Sequence, residues 1–165
     1  MTRATVVDKR RKWDALKANA AQLRNLTVTV GVHDDAGAHG DGAESVAQIA
    51  AQHEFGTDRI PERSFMRATF DAKRGEYSDL IKTLAQDVAL QGRSPELAAR
   101  KLGVIASSDV KRTIQDGIEP DLADVTKRAR DDKAAHGGGL ASMAQTYTPL
   151  IDSGQLIASI TFRVD

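Results

Sequence analysis

The residues from His53 to Arg67, reading HEFGTDRIPERSFMR, constrain the fold more than any other stretch of the chain. Phe55 ends an amphipathic run, and Gly56 can take the positive φ that closes a helix. Ile60-Pro61 then forces an extended step, because the proline ring excludes helical backbone at the residue before it, and Glu62 is placed to open the next helix. A helix end, a fixed turn and a helix start are thus welded together. The corner also gathers Arg59, Arg63 and Arg67 beside Phe55, Phe65 and Met66, a mixture of planar cations and apolar side chains that is enriched at protein interfaces.

On either side the hydrophobic periodicity reads clearly. Trp13, Leu16, Ala20 and Leu23 recur at helical spacing within 8–24, predicting an amphipathic first helix. Residues 27–32 switch to period two, with Val28, Val30 and Val32 on one face of a half-buried strand. Residues 34–44 are Gly- and Asp-rich and read as a loop. Ser45 with Gln48 three residues on is a capping-box pattern, followed by Val46, Ile49, Ala50 and His53 on one helix face.

Beyond the corner a long helix is expected over 62–91, weakened at Gly75 and closed by Gly92. Ser94-Pro95-Glu96 restarts a helix with a cap hydroxyl, a first-turn proline and a carboxylate at the positive dipole end, running to about Asp116. A short helix is expected over 121–130, and the glycine run at 137–139 makes 131–148 a mobile loop or arm. Asp152-Ser153 caps a helical turn through Ala158, and Ile160, Phe162 and Val164 alternate as a strand that can pair with 27–32. The expected class is therefore α+β, with a small antiparallel sheet packed against several helices in one domain spanning 1–165.

Composition narrows the function. The chain has 165 residues, enough for one domain with a real core, and its 4% aromatic content leaves that core to Ala, Leu, Ile and Val. Lys plus Arg and Asp plus Glu balance at 23 each, which removes the usual signature of a dedicated nucleic-acid binder. The first 24 residues are locally basic, with Lys9, Arg10, Arg11 and Lys12 as the densest run. A DNA-binding or packaging accessory role would use that run; the plainer reading is a solvated helix face. No cysteine is present, so disulfides, thiolate metal sites and a Cys nucleophile are excluded. The N-terminus lacks an apolar leader core, and no segment approaches the roughly 20 apolar residues of a membrane span, so a soluble chain made in the cytoplasm is expected.

Chemistry is weakly signalled. His33, Asp34, Asp35, His39 and Asp41 invite a metal-dependent hydrolase reading, but they match neither an EF-hand loop nor a two-His zinc helix. Ser153, His53 and Asp152 could be drawn as a hydrolase triad, yet no Gly-x-Ser-x-Gly elbow accompanies them. Gly37, Gly40 and Gly42 lack the spacing of a phosphate-binding loop. No enzyme and no cofactor is expected.

Two segments resemble the neck and tail-completion proteins of tailed bacteriophages, the broad family of head-tail joining and minor tail proteins. One runs from Val46 to Arg67, with His53-Glu54-Phe55-Gly56-Thr57 leading into Ile60-Pro61-Glu62-Arg63-Ser64-Phe65-Met66-Arg67. The other is Pro149-Leu150-Ile151-Asp152-Ser153-Gly154-Gln155-Leu156, followed by Ser159-Ile160 and the final strand. The resemblance covers about a third of the chain. It implies a virion protein without enzymatic activity that forms a homo-oligomeric ring at the neck or top of the tail, joined to neighbouring neck, connector or tail-tube proteins. Genomic DNA would pass through the lumen without sequence-specific contact. The Phe65-Met66-Arg67 corner would anchor one side of each subunit, and Asp152, Gln155 and Leu156 would fix the C-terminal strand beside it.

Overall fold

A computed structural model describes residues 10–37, 44–135, 148–151 and 154–165. Helix α1 (Arg10–Asn25) leads into strand β1 (Val28–Val32), followed by a single 3-10 turn, Asp34–Ala36. Helices α2 (Val46–Phe55), α3 (Phe65–Ala72), α4 (Arg74–Gln91), α5 (Pro95–Asp116) and α6 (Asp124–Ala135) come next, then a short α7 (Gln155–Ser159) that runs directly into strand β2 (Ile160–Val164). The molecule is α+β and mostly helical, with β1 and β2 forming a two-stranded antiparallel sheet. Among the described residues no helix is long and apolar enough to cross a membrane.

The strand pairing follows from the alternation of Val and Thr. Val28, Val30 and Val32 lie opposite Val164, Phe162 and Ile160. Thr27 and Asp165 exchange two backbone hydrogen bonds, at 2.8 and 3.0 Å, so the ladder begins one residue before β1. Antiparallel ladders alternate hydrogen-bonded and open pairs, so the apolar pairs are the open ones, whose side chains approach most closely. Their face meets α5 and the opposite face meets α3. On the α5 side, a Cβ at Gly103 would lie 2.5 Å from Cγ of Phe162; on the α3 side, a Cβ at Gly31 would lie 3.0 Å from Cε of Met66. Small residues let α5 approach the sheet at this depth.

The core has two parts. The larger joins Val46, Ala50, Phe65, Val110, Ile114, Leu150, Leu156 and Ile160. The smaller holds Leu84, Val88 and Ala98, with Leu23 of α1 and Leu102 packed against it. Helix α5 contributes to both. On α1, Asn19 donates to the Val88 carbonyl at 3.3 Å.

Three expectations are corrected. The helix expected over 62–91 is two helices, since 61–64 is not helical and Lys73 (φ −102°, ψ 10°) interrupts the run. The helical start at Glu62 fails because Arg63 N–H is committed to the His53 carbonyl at 2.7 Å and Phe65 N–H to the Arg63 carbonyl at 2.8 Å. The break at Lys73 is held by its ammonium on Asp109 at 3.1 Å, with the Tyr77 hydroxyl donating to the same carboxylate at 3.1 Å. Burial, reinforced by Asp109, pushes the Tyr77 phenol well above its usual value. Residues 131–135 of the expected loop form the last turn of α6; 136–147 lie outside the described residues. The cap of α7 is Gly154 (φ 77°), while Asp152 and Ser153 lie outside the described residues.

Candidate functional site

The corner between α2 and α3 is closed by backbone geometry and one buried carboxylate. Gly56 sits at φ 73°, where a Cβ would come within 3.0 Å of the Glu62 nitrogen, so glycine is required both for the turn and for the close approach. Thr57 folds the next step, its hydroxyl accepting from Ile60 N–H at 3.0 Å and its N–H donating to the Ile60 carbonyl at 2.8 Å. Glu54, only 4% exposed, then reaches across. Its carboxylate accepts from the backbone N–H groups of Met66 and Arg67, both at 2.9 Å, and from Arg67 Nε at 3.1 Å. Helix α3 is therefore capped by a side chain from α2, in place of Ser64, which makes no side-chain cap hydrogen bond.

The guanidinium of Arg67 completes a surface layer over this cap. It donates to the Glu54 carbonyl at 2.6 Å and to Glu62 Oε1 at 2.8 Å, and its Cζ lies 4.9 Å from the centre of the Phe55 ring. The hydrogen bond to Glu54 raises the pKa of Arg67, with Glu62 adding to it. Phe55 itself is 66% exposed. An exposed aromatic stacked by a pinned arginine is a rigid amphipathic platform.

Arg63 turns the other way. It is 5% exposed, and donates from Nε to the Pro120 carbonyl at 2.7 Å and from Nη2 to the Asp121 carbonyl at 3.0 Å. Burial lowers its pKa, as does the charge of Arg130, while Asp121 opposes them. Together with His53, Arg130 and Gln155 it lines a cleft of about 530 Å³ between α2, the 120–123 segment and α7. Burial, and secondarily the Arg63 charge, lowers the pKa of His53, so its neutral form is favoured. His53 Nδ1 and His33 Nε2 are buried without a hydrogen-bond partner among the described residues. A second groove of about 530 Å³ lies between β1, α2 and α3, walled by Ala47, Ala51, Phe55 and Phe70.

The residues singled out from sequence thus divide. Phe55, Arg59 and Arg67 are on the surface; Arg63, Phe65 and Leu156 are buried within the subunit; Met66 and Gln155 are half-buried. Lys9 lies outside the described residues, as do Asp152 and the side chains of Arg10, Arg11 and Lys12, which open α1. Of the proposed metal ligands His33, Asp34 and Asp35 are described, and His39 and Asp41 are not; among the described residues no group of three His, Asp or Glu side chains could hold a metal. Sequence reasoning missed Glu54, because a cap supplied from twelve residues away leaves no local pattern.

The two segments that carry the phage resemblance meet in space. Val46, Ala50 and Phe65 from the first share one core cluster with Leu150, Leu156 and Ile160 from the second. Compared with known proteins, the chain matches no family model, no curated protein and no solved structure.

Proposed function

We propose that the protein is a structural component of a tailed-phage virion, made in the host cytoplasm, which assembles as a ring at the neck or top of the tail. It has no enzymatic role and contacts neighbouring neck, connector or tail-tube proteins, with DNA in the lumen. The observation that carries this reading is the packing of the two resembling segments into a single unit. Their buried members hold the bend, and Phe55, Arg59 and Arg67 are left on its rim. Ring subunits need different patches on opposite sides, and a rigid rim of this composition suits one of them.

The test is the presence of the protein in purified virions by mass spectrometry, joined to mass photometry of assembled material. Phe55→Ser and Arg59→Glu are expected to shift stability by less than about 1 kcal/mol, since both side chains are exposed, while ring formation drops sharply. Phe65→Ala is expected to cost about 3–5 kcal/mol of folding stability instead. Virions that lack the protein, or rim variants that assemble normally, would sink the reading.

A further inference from the structure

Helix α5 carries its basic side chains on one side. At 100° per residue, its buried positions Ala98, Ala99, Gly103, Ala106, Ser107, Val110 and Ile114 fill one arc. The opposite arc carries Arg100, Lys101, Lys111 and Arg112, interleaved with Val104 and Ser108; all are exposed except Lys111, which is half-exposed. No acid shares that arc. Of the three acids on α5, Asp109 is buried against Lys73 and Tyr77, Glu96 accepts from the Ser94 hydroxyl at the helix start, and Asp116 closes the last turn.

The four cations also lack ion-pair partners among the described residues, although Glu96 and Asp116 lie one turn beyond Arg100 and Arg112 at the two ends of the track. Several surface bases on other elements are paired, as in Lys17–Asp14, Lys82–Asp79, Lys127–Asp121 and Arg163–Asp35. None of the four on α5 forms an ion pair or side-chain hydrogen bond among the described residues. A chain with 23 bases and 23 acids therefore keeps a helix face of a single sign. The spacing is regular too: Arg100 and Lys111 are three turns apart, as are Lys101 and Arg112, which puts the two pairs roughly 17 Å from each other along the axis. With the reach of the side chains, such pairs bracket a major groove about 12 Å wide, one pair to each phosphate strand.

We propose that the outer face of α5 is a contact track for the phosphate backbone of duplex DNA. The inference rests on the neck reading for the presence of DNA, and it places the contact on α5 instead of the basic run Lys9–Lys12. Backbone contact by four cations carries no base readout, so binding is indifferent to sequence.

Fluorescence anisotropy of the full chain with two unrelated labelled duplexes tests this. Both duplexes are expected to bind alike, with affinity falling about a hundredfold as salt rises from roughly 50 to 200 mM, the change that four neutralised phosphates imply. The variant carrying Arg100→Gln, Lys101→Gln, Lys111→Gln and Arg112→Gln should lose at least about tenfold at low salt, together with most of the salt dependence. Its melting temperature should hold. The pair Arg100→Gln and Lys111→Gln should remove about half of that dependence, and Arg74→Gln with Lys82→Gln none of it. Unchanged affinity in the four-residue variant, no binding by the wild type at low salt, or equal binding of poly-glutamate would each overturn the proposal. Absence from virions while α5-dependent DNA binding persists would remove the neck reading and leave the DNA track standing.

Discussion

At the scale of single residues, Glu54 has the widest consequences in the chain. One carboxylate satisfies two of the four N–H groups that α3 would otherwise leave open and holds the guanidinium that stacks on Phe55. Glu54→Gln keeps the shape but loses the charge and one acceptor oxygen, and should cost about 1.5–3 kcal/mol in urea denaturation, with faster amide exchange at Met66 and Arg67. An unchanged midpoint would mean that water caps α3 equally well. His53 gives a dependence on pH. Its folded-state pKa is lowered from 6.5, so the unfolded chain takes up a proton first as acidity rises. The stability it contributes is whole above about pH 6.5 and is lost as pH falls through the lowered value. Between about pH 7.5 and 5, His53→Gln should therefore lose less stability than the wild type. Equal losses would assign the acid sensitivity to other groups.

At the scale of elements, the contact between α5 and the sheet depends on Gly103. A methyl group there would meet the Phe162 ring, so Gly103→Ala should cost about 1–3 kcal/mol by overpacking, although alanine is the better helix former. Phe162→Leu in the same chain should recover part of the loss in thermal melts. A Gly103→Ala variant as stable as the wild type would show that the ring can swing aside. Gly103 was not legible in the sequence, because its role lies in a neighbour nearly sixty residues away. Elements governed by local signals were legible: the Ser45–Gln48 capping box, the Ser94-Pro95 start of α5 and the alternation of both strands all appear where the pattern put them. The division of 62–91 was not, since the break at Lys73 is held by Asp109 from another helix. Propensity at Gly75 marked the neighbourhood and not the cause.

At the scale of the whole molecule, the candidate site was half legible. Residue type alone gathered Arg59, Arg63 and Arg67 with the aromatics, but which of them face outward depends on whether a partner waits inside. Arg63 finds the carbonyls of residues 120 and 121 and is buried, while Arg67 finds Glu62 at the surface. The charge balance that argued against nucleic acid was likewise an average, hiding the one-sided face of α5. The sheet has a consequence in time. β1 is the first strand made and β2 the last of the described elements, so every residue between them must leave the ribosome before the ladder can close. At synthesis rates of about 5–20 residues per second, Val28, Val30 and Val32 wait on the order of ten seconds for their partner strand.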